Sequence, residues 1–272
     1  MVTRREAVGR SSGAGVPLAL LVPSIVGLLF LLAPIAALVV RVPWSELPAR
    51  LADPLVLEAL QLSLVTSTLA TALSLVLGVP LAWILARSEI RGRVVVRALV
   101  TLPLVLPPVV GGVALLLLLG RRGLVGRWLL ACCGISLPFT PAAVVLAEAF
   151  VAMPFLVLSV EGALRSADPR YEEAAATLGA SRWTAFRRIT LPLVAPGVVA
   201  GAALCWARAL GEFGATITFA GSFPGETQTL PLAVYLALET DPGAAIVLSL
   251  LLLAVSLAVL AGLRERWIAG RA

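Results

Sequence analysis

Long apolar stretches alternate with short polar ones along most of the chain. A transmembrane helix needs about 20 predominantly apolar residues to cross the hydrocarbon layer, and six stretches meet this requirement. The pattern therefore predicts six transmembrane helices, at residues 17–40, 59–86, 98–120, 137–164, 193–220 and 244–263. The first stretch is too long for the apolar region of a signal peptide, so we interpret it as a span.

The longest polar stretch, residues 165–192, lies between the fourth and fifth predicted spans. It predicts two short helices, because Asp168 is a good N-cap for the first and Gly179 is a good C-cap. Ser181 can cap the second helix, which the Leu-Pro pair at 191–192 ends. The small side chains of the first helix give it a smooth surface that fits a groove on another protein. A polar connector that only lies on the membrane surface is the alternative.

The third predicted span contains an interrupted helix. Pro103, Pro107 and Pro108 lie close together and are followed by two glycines, and each proline inside a helix removes a backbone hydrogen bond. Broken backbone at membrane depth is tolerated where it is buried in protein or lines a water-filled cavity. The stretch is therefore predicted to face a transport path or a helix interface, with proline kinks that have no function as the alternative.

The composition is that of a membrane protein. Hydrophobic residues make up 60% of the chain and charged residues 13%, and the mean hydropathy is +1.03, whereas about 25% of a typical soluble domain is charged. All 21 basic residues are arginine, and histidine is absent. Without lysine and histidine the chain lacks the groups for a P-loop, a Schiff base, a catalytic triad or a zinc-protease motif. An enzyme is therefore the least expected class.

The distribution of arginines predicts the orientation in the membrane, because positively charged loops remain on the cytoplasmic side. With the N-terminus inside, fifteen of the 21 arginines are cytoplasmic and five are external, so both termini are predicted to be cytoplasmic. Arg121, Arg122 and Arg127 depart from this trend, either as a solvated external loop or as a patch that attracts an anion. The net charge of +6 comes from arginines between apolar stretches, which does not indicate a nucleic-acid-binding face.

The fifth predicted span contains two opposite charges. Arg208 and Glu212 are four residues apart and lie on one helix face, with Phe213 next to them. An unpaired charge inside the bilayer costs about 2.5 kcal/mol or more, so both should face the protein interior or a water-filled cavity. Two interpretations remain open: a structural ion pair or gate element, and a direct contact of the arginine with an anion.

The loop at 165–192 carries a spaced motif. Its members are Glu173, Ala174, Ala175, Gly179, Ile189, Leu191 and Pro192. Their order and spacing match the EAA-x3-G-x9-I-x-L-P signature, so the chain resembles the permease subunits of bacterial ABC importers. The resemblance implies that these residues couple the chain to a separate ATPase subunit. That subunit would hold ATP and magnesium, and no cofactor is expected in this chain.

Further stretches, at 102–112, 119–123, 209–221 and 224–229, resemble the permeases of molybdate importers, with sulfate and tungstate permeases as nearest relatives. The resemblance covers residues 61–266. It implies the all-α fold of type I ABC importer permeases, a homodimer with the path at its interface, and an external oxyanion-binding protein. It also implies a bacterial or archaeal cytoplasmic membrane as the location. The predicted path or gate residues are Pro103, Pro107, Pro108, Arg208, Glu212 and Phe213.

The predicted domains are an N-terminal segment with the first span and its external loop at 1–56, a permease domain at 57–266, and a cytoplasmic tail at 267–272. The predicted function is ATP-driven import of molybdate. Sulfate, thiosulfate or tungstate is an alternative cargo, because these dianions share charge and shape. An ATP-independent secondary transporter is the alternative class, although the complete coupling motif and the lack of a visible inverted repeat argue against it.

Overall fold

The computed structural model describes residues 18–89 and 91–269, and the regular structure within these residues is entirely helical. The described residues divide into two units between Val42 and Pro43. A π-helical turn at Phe186–Thr190 joins two of the helices. The helices are α1 (Leu18–Val40), α2 (Leu47–Leu51), α3 (Pro54–Arg87), α4 (Arg93–Val105), α5 (Pro108–Leu119), α6 (Gly126–Cys133), α7 (Pro141–Ser166), α8 (Arg170–Thr177), α9 (Arg182–Ala185), α10 (Leu191–Leu210), α11 (Gly214–Phe219), α12 (Leu230–Thr240) and α13 (Pro242–Ala269).

The first unit contains one long helix. α1 has 23 residues and is long and apolar enough to cross a membrane, as the sequence predicts. Pro23 and Pro34 lie inside it without ending it. Prolines are more frequent in transmembrane helices than in soluble ones, because neighbouring groups and small backbone adjustments satisfy the freed carbonyls.

In the second unit, α3, α7 and α13 confirm the second, fourth and sixth predicted spans. Each begins at a proline that follows a residue whose side chain accepts a hydrogen bond from the first turn. Proline suits this position because its missing N–H would have no partner there. The three capping residues are Asp53, Thr140 and Asp241.

The third predicted span is broken, as its prolines indicate. α4 and α5 meet at an angle of 115°, and the break falls at Leu106 and Pro107. Pro103 lies within α4 and does not end it, whereas Pro108 is the first residue of α5, where a proline needs no N–H donor. The chain therefore turns sharply at the depth where a continuous helix would otherwise cross.

The fifth predicted span, at 193–220, is wrong at its end. α10 stops at Leu210, the next three residues are not helical, and the short helix α11 begins at Gly214. Oε1 of Glu212 accepts a hydrogen bond of 2.8 Å from the N–H of Ala215. This carboxylate satisfies a free N–H at the start of α11, where the helix dipole also favours a negative charge. The break is thus stabilised by a residue that hydropathy alone places inside a span.

The core of the second unit lies where α3, α7 and α10 pack together. Its buried side chains include Leu85, Leu156 and Val194. Close approach depends on small residues: a Cβ added at Gly201 of α10 would lie 2.9 Å from Cβ of Ser159 in α7. Helix contacts in membranes commonly use small residues in this way, because lipid supplies little driving force for burying larger apolar ones.

α2, α6 and α12 are short helices in connections for which the apolar pattern predicts no span. α12 follows Thr229 and has Pro231 in its first turn, which is a local start signal. Leu230 at its start is buried against Ala59 of α3 and Leu248 of α13. The connection between the fifth and sixth spans is thus a packed element.

An ion pair at the corner between α12 and α13 predicts that the stability of the fold depends on pH. Arg50 donates a hydrogen bond of 2.5 Å to Asp241, and this bond, with one from the N–H of Ala244, holds the pKa of the Asp241 carboxyl below its usual range. Because the pKa is lower in the folded state, the ionised carboxylate stabilises the fold at pH values above its unfolded pKa of about 3.9. This stabilisation is lost as the pH falls through the folded pKa. Asp241→Asn should therefore lower the thermal midpoint in detergent at pH 7, with a smaller difference at pH 3. An equal difference at both pH values would contradict this.

Candidate functional site

α8 and its ends form the first part of the candidate coupling site. Oδ1 of Asp168 accepts a hydrogen bond of 2.9 Å from the N–H of Arg170, so the predicted cap forms, although the helix begins at Arg170. At the other end Gly179 has φ of +84°. The N–H groups of Gly179 and Ala180 bond to the carbonyls of Ala176 and Ala175 at 3.0 Å each. This is a Schellman motif, and its left-handed residue favours glycine.

The second predicted helix of the loop begins as expected and ends differently. Ser181 accepts a hydrogen bond of 3.2 Å from the N–H of Thr184. The expected end at Leu191 and Pro192 is wrong, because a π-helical turn leads directly from α9 into α10. In that turn the N–H of Leu191 bonds to the carbonyl of Phe186, five residues back. Pro192 then falls in the first turn of α10, where its missing N–H costs little.

The structure brings part of the spaced motif together. Ala174, Ala175 and Ile189 line one cavity of about 410 Å³ between α8 and the π-helical turn. Glu173 is exposed and lines a separate groove, while Gly179 is exposed at the turn. The remaining members, Leu191 and Pro192, lie at the start of α10, half-buried and exposed respectively. The motif is therefore spread from α8 to the start of α10, with its carboxylate on the surface.

The surface around α8 is unusually apolar for a polar loop. Leu178 is 88% exposed, and Tyr171 and Trp183 are also exposed. Large exposed apolar side chains grouped next to an exposed carboxylate are typical of a protein contact surface. This arrangement fits docking to another protein, and it is equally compatible with the alternative of a connector that lies on the membrane surface.

The groove that Glu173 lines has a volume of about 610 Å³ and lies between α8 and the end of α3. Trp83 and Arg87 of α3 form one side, and Glu172 with Ala176 of α8 forms the other. We call it the cytoplasmic groove, following the predicted orientation.

Two of the stretches that resemble molybdate permeases, 102–112 and 209–221, meet in the structure. A Cβ added at Gly112 of α5 would lie 2.8 Å from the carbonyl oxygen of Ala215, and one at Gly214 would lie 2.8 Å from Cβ of Pro108. α5 and α11 can therefore approach this closely only with glycine at both positions. Of the predicted path residues, Pro108 is part of this contact, whereas Pro107 is exposed and Pro103 half-buried in the bent pair.

The predicted charges of the fifth span form an ion pair. Nη2 of Arg208 lies 2.6 Å from Oε2 of Glu212, and the exposed fractions of the two side chains are 28% and 1%. Glu212 lies beyond the last residue of α10, so its second oxygen is free to cap α11. Phe213 packs against Tyr235 of α12, with ring centroids 5.0 Å apart. The ion pair and the bond from Ala215 to Glu212 therefore join the end of α10 to the start of α11 in one polar contact.

Two carboxylates of α7 have partners that the sequence analysis did not identify. Glu161 forms ion pairs with Arg165, at 2.9 Å, and with Arg97 of α4. Glu148 is buried and accepts a hydrogen bond of 3.0 Å from Oγ1 of Thr66 in α3. Arg165 follows Glu161 by four residues, so that pair is visible in the sequence. The other two partners come from separate helices and become apparent only when these pack.

The long apolar helices, a broken span among them, define a multi-pass membrane protein with an exposed helix in a polar loop. The chain belongs to the family described as binding-protein-dependent transport system inner membrane component, which matches residues 78–270. The resemblance inferred from the spaced motif is therefore confirmed, and the chain is a transport component of ABC importers, not an enzyme.

Its relatives include permeases named for molybdenum transport and for sulfate transport. The chain is 54% identical over 246 residues to the molybdenum transport system permease protein ModB of Mycobacterium tuberculosis, covering 90% of this chain and 92% of that protein. It is 38% identical over 236 residues to the sulfate transport system permease protein CysT of Escherichia coli, covering 85% of each.

A solved structure has the same fold. It is that of a bacterial alginate ABC transporter in complex with an alginate pentasaccharide-bound periplasmic protein. The TM-score is 0.72 at 19% identity, with 91% of this chain and 92% of that chain covered. The predicted ABC importer permease fold is thus confirmed.

Proposed function

We propose that this chain is the permease subunit of an ATP-driven importer that moves molybdate across the cytoplasmic membrane. The observation that carries the proposal is the complete coupling motif, whose first part lies on the helix α8 with Glu173 on the surface and Gly179 in the left-handed turn that follows. The 54% identity to a molybdenum transport permease over 90% of the chain supports the cargo.

The proposed complex contains two copies of this chain, two ATPase subunits and an external binding protein. ATP and magnesium are held by the ATPase subunits, because this chain has no lysine for a P-loop. The arginine distribution supports a cytoplasmic location for both termini and for α8. α8 then faces the side of the membrane on which ATP is available.

The proposed mechanism is alternating access. ATP binding closes the ATPase subunits and draws the two copies of α8 together, so that the path opens to the outside and accepts the oxyanion. Hydrolysis and release of the ATPase products return the path to the inward-open state. In this mechanism Glu173, Ala174, Ala175 and Gly179 provide the contact with the ATPase, and Ile189, Leu191 and Pro192 connect that contact to α10.

The proposed path or gate lies at the bent pair and the break after α10. Pro103, Pro107 and Pro108 set the bend, while Arg208, Glu212 and Phe213 surround the break. The ion pair at 2.6 Å supports a structural or gating role for Arg208, because its charge is already balanced.

Sulfate import is the second candidate function, favoured by the 38% identity to a sulfate permease over 85% of the chain. Molybdate and sulfate are both tetrahedral dianions, so the same permease groups could admit either. The higher identity to the molybdenum permease is the reason for ranking molybdate first.

The test is transport into proteoliposomes that contain this chain with its co-purifying ATPase subunit and binding protein. We expect ATP-dependent uptake of molybdate above that of sulfate, and loss of that uptake in Glu173→Arg, which reverses the exposed charge at the ATPase contact. Arg91→Glu, an exposed charge reversal in the neighbouring connection, is the matched control and should retain uptake.

The uptake measurements distinguish the two cargoes and test whether import depends on ATP. Preferred uptake of sulfate would transfer the proposal to the second cargo. Uptake driven by an ion gradient without ATP, or a chain that retains no ATPase subunit, would contradict the importer proposal itself.

A further inference from the structure

The last residue of α3 is an arginine that the spaced motif does not include. The Arg87 side chain is only 14% exposed. Its Nη2 donates a hydrogen bond of 3.0 Å to the carbonyl oxygen of Ala167, the C-cap residue that follows α7. Carbonyls at a helix C-terminus have no partner within the helix, and a cation there also complements the helix dipole. Arg87 therefore ties the ends of α3 and α7 together.

The same guanidinium reaches α8. Its Nε lies 3.3 Å from Oε1 of Glu172, whose side chain is 26% exposed, in an ion pair without aligned hydrogen-bond geometry. Oε1 of Glu172 also accepts a hydrogen bond of 3.0 Å from Oγ1 of Thr190. Thr190 is buried at the end of the π-helical turn that leads into α10. We call the four residues Arg87, Ala167, Glu172 and Thr190 the junction.

The junction spans the cytoplasmic groove. Arg87, Glu172 and Thr190 all line this groove of about 610 Å³, so open space separates much of α8 from α3. Among the described residues, the Arg87–Glu172 pair is the one ion pair that joins α8 to a helix outside the loop. The polar contacts of Glu172 therefore connect α8 to α3 through Arg87 and to the start of α10 through Thr190.

We infer that the junction transmits movement of α8 to the ends of α3, α7 and α10, with Arg87 and Glu172 as positioning residues for energy coupling. The inference rests on the proposed function, because it requires an ATPase that moves α8. Because both side chains are mostly buried, the attraction between their charges is screened less than that of a fully exposed pair. Separating the two side chains would leave uncompensated charge, so when one of them moves the other is expected to move with it.

The competing explanation is that the junction only keeps the loop folded. The two explanations differ in what is lost on disruption. A structural role predicts that the ATPase subunit no longer binds, or that the permease unfolds. A coupling role predicts that the complex assembles and hydrolyses ATP while less oxyanion is moved per ATP.

The test compares Arg87→Glu, Glu172→Arg and the double variant in proteoliposomes with the ATPase subunit and binding protein. Two quantities are measured: ATPase subunit retained per permease, and molybdate or sulfate transported per ATP hydrolysed. We expect each single variant to retain the ATPase and to lose about tenfold in transport per ATP, within the range of mutations that alter coupling between sites. The double variant should recover at least about threefold, because opposite charges face each other again.

Two further variants test whether the charge of Arg87 itself is required. Arg87→Lys keeps the charge and should retain most of the coupling, whereas Arg91→Glu reverses an exposed charge nearby and should leave transport per ATP unchanged. Single variants with the ratio of the native chain, or variants that release the ATPase subunit, would overturn the inference. A native chain that takes up neither oxyanion would overturn the proposed function and, with it, this inference, so the two failures are distinguishable.

Discussion

Gly112→Leu is expected to give a permease that is severely destabilised. A Cβ at this position would lie 2.7 Å from Cβ of Thr218, 2.8 Å from the carbonyl oxygen of Ala215 and 3.0 Å from its Cα. Two of these three atoms belong to the backbone of α11, so no change of side-chain rotamer relieves the overlap. Overpacking costs about 1–3 kcal/mol where neighbours can adjust, and a backbone obstacle places this variant at or above the upper end.

The measurement is the thermal midpoint of purified protein in one detergent, together with the yield of monodisperse protein. Gly112→Ala should show the same defect to a smaller degree, because the first added carbon already meets the obstacle. Gly162→Leu is the matched control: this glycine also lies in a helix, α7, but a Cβ there meets no atom within 4 Å. If Gly112→Leu unfolds at the same temperature as Gly162→Leu, the close contact of α5 and α11 is not required for the fold.

The helices that can be predicted from the sequence are those fixed by local signals. α3, α7 and α13 combine apolar length with a capping residue and a proline at the start, so their positions follow from nearby residues. The bend between α4 and α5 follows from Pro107 and Pro108 for the same reason. The end of α10 does not follow, because Gly211, Glu212 and Phe213 break the helix in a stretch whose hydropathy favours continuation.

In the candidate site, too, some features follow from local sequence signals and others appear only in the folded chain. The caps of α8 are local, and Asp168 and Gly179 were accordingly predictable from residue type and position. Arg87 and Glu172 are separated by 85 positions of chain and meet only because α3 and the loop end at the same side of the molecule. No spacing rule connects them, so a junction of this kind becomes visible only in the folded chain.

Arg208→Gln is expected to cost about 3–5 kcal/mol of stability, the range for removing one partner of a buried ion pair. Glu212 is 1% exposed and would remain in place without its cation. Glu212→Gln should cost less, since Arg208 is 28% exposed and can be hydrated, and the amide oxygen can still accept the N–H of Ala215. Arg165→Gln is the matched control and should have a small effect, because Glu161 keeps its second partner, Arg97. Equal losses for Arg208→Gln and Arg165→Gln would contradict the argument.

Two roles were left open for this pair: a structural ion pair or gate element, and a direct contact of the arginine with an anion. The double variant Arg208→Gln/Glu212→Gln tests whether the charges are needed beyond stability. Two neutral amides can bond to each other, so we expect the thermal midpoint to recover most of what Arg208→Gln loses. If ATP-driven uptake recovers with stability, the pair acts as a structural contact that holds the break between α10 and α11. If the double variant is stable but inactive, the charged pair takes part in transport itself, because stability alone no longer explains the loss. The ion pair at 2.6 Å favours the first result, since a guanidinium whose charge is already balanced offers little attraction to a dianion.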